Sequence, residues 1–292
     1  MKKIIGLCVI ALLLPYIITL AWTGRVEGSE KGTEEYLIGI IAAQIDAGYE
    51  KETLKAQAII ARTYLHGQVE KSSDGQSVER ERIEKAALNV NRLEIGEMED
   101  LWGKEEAPNN YQKISDAVRE TKGMVIQYDG GYIEPLFHKV SAGVTRAGDE
   151  THPYLCRVET PEDVEAENYI SIIRFSKADF ARRLNQMKDS PELAPKEAFT
   201  SIQIVKKDEA EYVDKIQVGS KSYSGEDIAY ALGLPSSAFS FEDYDGDIRC
   251  TVRGIGHGYG FDQYNANLKA KAGWTAEELL KKYYKNIIVI SE

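Results

Sequence analysis

The chain predicts an α+β fold. Its core is a helix pair with mixed strands against it, a smaller second lobe and an N-terminal membrane anchor. Three observations carry that prediction. Residues 37–64 hold two successive stripes of helical period, broken at Ala47-Gly48. Downstream, strand-like alternation recurs between glycine-rich turns. At the start, Lys2-Lys3 precede an uncharged apolar run from Ile4 to Trp22.

That run matches the roughly 17–25 residues a helix needs to cross a bilayer. Lysines before it and mixed charge after it orient the body outside the cytoplasm. Residues 1–24 are therefore expected to be a retained anchor and 25–33 a linker. A cleaved signal peptide is the alternative. The body divides into 34–175, a second lobe at 176–244, and 245–292, which rejoins the first part.

In the first helix Leu37, Ile40, Ile41 and Gln44 fall at i, i+3, i+4 and i+7, a single stripe. A buried amide without a partner costs roughly 1–3 kcal/mol, so Gln44 needs one. It is either a satisfied core glutamine or a polar group pointed into a site. In the second helix Leu54, Ala58, Ala61 and Leu65 form the apolar stripe. Lys55 and Arg62 border it on one side, Gln57 and Tyr64 on the other. Such ridges are either a solvated surface or the margin of a cleft.

Residues 67–110 are highly charged and read as a solvated helix plus a loop. Tyr111–Thr121 reads as a helix ending at Gly123. Met124–Tyr128 and Tyr132–Val140 read as a β-hairpin about Asp129-Gly130-Gly131. Ser176 caps a helix through Lys188, and Pro191 and Pro195 mark a break. Phe199–Val205 and Tyr212–Val218 read as strands. Ser224 opens a helix closed by Gly233, and Thr275–Glu278 is a capping box for the last helix.

Between them lies Gly254-Ile255-Gly256-His257-Gly258-Tyr259-Gly260-Phe261-Asp262-Gln263. Alternate glycines suit a tight backbone path or a close approach to a ligand. No Gly-Lys-Ser/Thr follows, which removes the P-loop reading. His257, Asp262 and Gln263 can each hydrogen-bond a polar substrate. Asp262 can equally be a helix-start residue for YNANLKAKA.

Net charge is −11, from 36 basic and 47 acidic side chains. That argues against nucleic acid and against holding an anionic polymer by bulk charge. Cys8 lies in the apolar run, and Cys156 and Cys250 are left free to pair or not.

The segments LKAQAIIARTY, FHKVSAGVTR, YLCRVETPEDVEAENY and GIGHGYGFDQYNANLKAKAG resemble, in that order, the stage II sporulation protein D (SpoIID/LytB) family. The resemblance implies a membrane-anchored lytic transglycosylase that cuts peptidoglycan glycan strands during forespore engulfment, facing the space between forespore and mother cell. It implies a glycan-binding pocket and no cofactor. It carries Ser141, otherwise a turn serine, over as a substrate-binding position, beside the candidates Lys55, Gln57, Arg62 and Tyr64 from the helix ridges and His257 and Gln263 from the loop. Stage II sporulation proteins P and M are implied as partners. Some relatives hold zinc near the second block; here His138, His152 and Cys156 remain, but Val140 and Thr160 stand at the expected cysteine positions, so no metal is expected.

Two departures bear on chemistry. The family's AAEM motif reads Ala42-Ala43-Gln44-Ile45, so Gln44 stands where the resemblance implies the catalytic glutamate. Lytic transglycosylases use one carboxyl to protonate the glycosidic oxygen and then take the 6-hydroxyl proton that closes a 1,6-anhydro ring. An amide cannot do this near neutral pH. The family's Ser-Gln reads Asp262-Gln263, so Asp262 is the candidate for a relocated acid/base. Asp46, about 200° round a helix from Gln44, is expected on another face. Three functions follow: a transglycosylase with a relocated carboxyl, an impaired relative that binds glycan as a scaffold, and an unrelated membrane-anchored binding module.

Overall fold

The computed structural model describes residues 33–71 and 85–292. The anchor, residues 4–22, and most of the linker lie outside the described residues. Among the described residues no helix is long and apolar enough to cross a membrane.

Helix α1 spans Thr33–Gln44 and α2 spans Lys51–Lys71, joined by a turn in which the Asp46 carboxylate accepts the Gly48 N–H at 2.8 Å. The two pack against α3, Ile95–Glu120, through Leu37, Ile41, Leu54, Ala58 and Ile114. The opposite side of α2 carries Ala56, Ile59 and Ile60 into a second core. Alternating small and branched residues thus let one helix serve two cores, which is why α2 reads as apolar over more than one stripe.

Helix α3 starts earlier than the sequence suggests. Glu94 and Glu97 form a reciprocal capping box, and Met98 and Ala107 are buried. The dense charge about those two residues hides them in the sequence. Gly103, at φ 77°, breaks the helix in two.

Strand β1, Met124–Tyr128, pairs antiparallel with β2, Gly131–Tyr132, across Asp129 and Gly130, both at positive φ. The hairpin is shorter than expected because Pro135, which has no N–H to give a ladder, ends it. Phe137–His138 then forms β3, a separate strand. The other side of β1 pairs with the C-terminal β11, Ile288–Ser291.

Strands β4, Ile170–Phe175, β8, Phe239–Tyr244, and β9, Asp247–Arg253, form an antiparallel sheet in the order β4-β9-β8. Strands β5, Ile202–Lys207, β6, Val213–Val218, and β7, Lys221–Tyr223, form another. Helix α4, Lys177–Asn185, and helix α5, Gly225–Leu232, complete a third core around Phe180, Ile216, Ile228, Phe239 and Val252. The expected caps Ser176 and Ser224 accept the backbone N–H of Asp179 and Asp227.

The glycine-rich loop leads into β10, Phe261–Asp262, which pairs parallel with β3, and then into α6, Gln263–Lys271. Its glycines serve the close backbone path of the two alternatives. A Cβ on Gly260 would lie 1.9 Å from the Leu136 carbonyl oxygen, and one on Gly258 2.3 Å from the Tyr212 ring. Helix α7, Ala276–Tyr283, opens on the expected capping box at Thr275 and Glu278. Cys156 and Cys250 are both free thiols, so the open question of their pairing closes against a disulfide.

Candidate functional site

Because α1 ends at Gln44, that side chain projects past the helix end instead of into the helix-pair core. Its Oε1 accepts from Gln57 Nε2 at 2.9 Å. Gln57 Oε1 in turn accepts from Gln263 Nε2 at 3.2 Å, and the same nitrogen reaches the Gln44 carbonyl at 3.1 Å. Three amides from α1, α2 and the start of α6 therefore form one chain of hydrogen bonds. Gln57 and Gln263 are buried, whereas Gln44 is half-buried. Both readings of Gln44 hold at once: its oxygen is satisfied in the protein while the residue lines open space.

That space has two arms. The broader, about 590 Å³, is lined by Gln44, Asp46, Tyr49, Trp102, Lys139 and Tyr264. The narrower, about 320 Å³, is lined by Gln44, Tyr64, Asn89, Asn91, Pro135 and Phe137. Gln44 lines both arms. Asp46 shares its cavity, contrary to the expectation of another face: the helical 100° step stops at Gln44, and the turn brings Asp46 back. Burial, then the Asp46 carboxylate, pushes the Tyr49 hydroxyl up to about 12, so it is a hydrogen-bond donor at neutral pH. The Lys139 ammonium is exposed in the same arm.

The expected site residues separate into two groups. Gln44, Gln57, Tyr64 and Gln263 come together at the groove. Arg62 does not, because it is 1 % exposed and its guanidinium is spent inside. It forms a two-point pair with Glu34 and donates to the Val118 and Met124 carbonyls and to Thr121. Lys55 pairs with Glu52 at 2.8 Å, and the second Glu52 oxygen caps α7 at the Ala276 N–H. Both serve as structural ties in this structure: the helical step carries them away from the Gln57 edge.

Ser141 and Asp262 are structural ties likewise. Both are fully buried. Asp262 is the N-cap of α6, accepting the Asn265 N–H at 3.1 Å, and its other oxygen accepts the Ser141 N–H at 3.2 Å. The Ser141 N–H also reaches Asp163 at 3.0 Å, and the Ser141 hydroxyl donates to Asp163 at 2.7 Å. Two carboxylates converging on one N–H inside the protein cannot both stay ionised. Burial, then the Asp262 charge, pushes Asp163 up to about 8, so this pair holds a proton at neutral pH. Asp262 lines neither arm of the groove.

His257 lies at neither arm. Its Nδ1 accepts the Tyr259 N–H at 3.0 Å, and its ring meets His138 edge-on at 5.9 Å. Burial, then the neighbouring His138, lowers it to about 4, so it is neutral. Its carbonyl accepts from Arg146, which stacks on Tyr259. The zinc candidates stand apart: His138 is buried against Asp262, while His152 pairs with Glu134 and Asp149. Among the described residues no three His, Cys, Asp or Glu side chains gather as a metal site would need.

Sequence reasoning missed Tyr49, Trp102, Lys139 and Tyr264. Only Trp102-Gly103, an apolar residue and a helix breaker inside a charged tract, carried a local signal.

A family model described as SpoIID, stage II sporulation protein, matches residues 27–128. Stage II sporulation protein D of Bacillus subtilis is 30% identical over 255 residues, covering 86% of this chain and 72% of the relative. The protein of that name from Bacillus amyloliquefaciens is 30% identical over 258 residues, covering 87% and 73%. An uncharacterised protein of Brachyspira hyodysenteriae is 22% identical over 270 residues, covering 90% and 67%. With the ordered motifs placed on one fold and the Bacillus relatives aligned over most of their length, this chain belongs to the stage II sporulation protein D family.

Proposed function

We propose that this protein serves sporulation as a cell-wall protein of forespore engulfment, holding peptidoglycan glycan strands in the Gln44 groove without cutting them. The relatives named stage II sporulation protein D support the setting. One observation carries the rest: the side chain that lines both arms is an amide whose oxygen is tied to Gln57. It offers a sugar hydrogen bonds but no proton to transfer. General acid catalysis contributes typically about 10²–10⁴-fold, so a groove without it binds far better than it cuts. The body would stand outside the cytoplasm on an anchor at residues 4–22, docked to stage II sporulation proteins P and M.

A second reading keeps the lytic transglycosylase, with Asp46 as the acid/base. It is favoured by Asp46 lining the same cavity as Gln44. Against it, Asp46 is exposed and already accepts the Gly48 N–H.

The experiment is incubation of amidase-treated peptidoglycan with the protein and with Gln44→Glu and Asp46→Asn variants. Co-sedimentation reads binding, and mass spectrometry reads 1,6-anhydro ends. Binding without product in the native chain, with product from Gln44→Glu, supports a holding role. Product from the native chain that disappears in Asp46→Asn supports cutting. No binding by any of them defeats both readings.

A further inference from the structure

The residues that could grip a sugar ring by its face are not all in the four motif blocks. One is in the charged tract. Trp102 packs one side against the helix core and turns the other to the broad arm of the groove. Beside it Leu101 is 61% exposed and lines the same arm. Adjacent large apolar side chains facing one cavity form a contiguous apolar surface, the kind that marks a binding groove.

The backbone is arranged for this pair. Gly103 follows directly, at φ 77° and ψ 151°, and stops the helix that began at Ile95. No atom lies within 4 Å of where its Cβ would be, so the glycine is there for its backbone angle and not for want of room. The break frees the turn bearing Leu101 and Trp102 from the direction of residues 104–120. Tyr49 and Tyr264 line the same arm from α1–α2 and α6. The arm therefore has aromatic rings from three separate segments, with polar groups at Gln44 and Lys139 between them. Flat apolar surfaces with interleaved hydrogen-bonding groups match a pyranose, whose axial C–H bonds form an apolar face and whose hydroxyls lie at its edge.

We infer that Trp102 is a sugar-stacking residue that positions one ring of a glycan strand in the broad arm, beside Gln44. This rests on the groove being a glycan site. The expected loss on removing the indole is about tenfold in affinity, the scale of an aromatic contact.

The chain has three tryptophans, so Trp22→Phe with Trp274→Phe leaves Trp102 as the sole indole. Amidase-treated glycan strands titrated into that full-length protein should quench or shift its emission in step with co-sedimentation. Trp102→Ala should then weaken co-sedimentation about tenfold, and Trp102→Phe should restore most of it. Strands that bind while the Trp102 emission stays still, with Trp102→Ala binding as the parent does, overturn the assignment and leave the glycan reading standing. A parent that binds no strands overturns both. The emission titration uses the folded parent, so a poorly folding Trp102→Ala chain does not remove the test.

Discussion

Two polar clusters lie close together in this molecule, and both are built from the motifs that mark the family. The amide chain Gln44–Gln57–Gln263 borders open space, uses neutral groups, and leaves Gln44 half-buried. The cluster Ser141–Asp163–Asp262 is closed, holds two carboxyl groups, and ties β3, β10 and the start of α6 together. The usual arrangement of a hydrolytic site is the reverse, with carboxyl groups facing the substrate and amides holding the frame. Here the carboxyl that the motif offered, Asp262, stands in the frame. The lesson is that a carboxyl gained in a motif is not thereby gained by the site: a helix N-terminus and a buried N–H claimed it first.

The comparison breaks most severely at Arg62, which belongs wholly to the frame. Removing its large buried side chain leaves a cavity in the core and a partly exposed Glu34 carboxylate without its partner, at about 2–5 kcal/mol. Arg62→Ala also takes one donor from each of the Val118 and Met124 carbonyls. Denaturant unfolding should show that loss. A cost under about 1 kcal/mol would put Arg62 back among the groove candidates. Next is Asp262→Ala, which removes a helix cap worth about 1 kcal/mol and one of the two carboxyl acceptors of the buried Ser141 N–H, a bond worth about 1.5–3 kcal/mol when the acceptor is charged. Asp262→Ser keeps the cap and should recover about 1 kcal/mol of that loss in the same titration.

The pH dependence sharpens the contrast. Asp163 stands at about 8 against an ordinary 3.8, so the folded state holds a proton the unfolded chain gives up. The stability tied to it is fully present below 3.8 and is lost as pH rises toward and through about 8. His138 and His257 are both lowered to about 4 from 6.5, chiefly by burial, so their contribution is lost in the other direction, as pH falls through 6.5 toward 4. Between 6.5 and 8 the carboxyl pair acts with little opposition. The melting temperature should fall over that range in the native chain and stay level in Asp163→Asn. Equal slopes in both would mean that the pair does not share a proton.

How much of this was legible depended on whether a residue's role was local. The break at Ala47-Gly48, the caps at Ser176, Ser224 and Thr275, and the turn at Asp129-Gly130 are short-range chemistry, and the chain states them openly. Asp262 as a helix start was one of two open readings, and the geometry chose it. Arg62 and Lys55 misled because a ridge on an isolated helix looks the same whether water or another helix covers it; α3 and Glu34 cover Arg62. The groove's own wall was least legible. Trp102, Lys139 and Tyr264 come from segments far apart in the chain, and no periodicity links them.

The smallest stability effect is expected in the amide chain, and it is the most telling. Gln57→Leu keeps the volume and removes both hydrogen bonds that Gln57 makes. In the frame such a change takes a carboxyl acceptor from a buried group that water does not reach, as at Ser141. Here Gln44 borders the groove, so water can take the place of the lost donor, and the cost should be about 1 kcal/mol. Glycan binding should suffer more than stability does, because Gln44 is no longer held in place at the groove. Co-sedimentation reduced severalfold beside a melting curve shifted by only a few degrees is the expected pairing. A Gln57→Leu chain that melts as low as Asp262→Ala would place the amides in the frame with the carboxyls and erase the distinction between the two clusters.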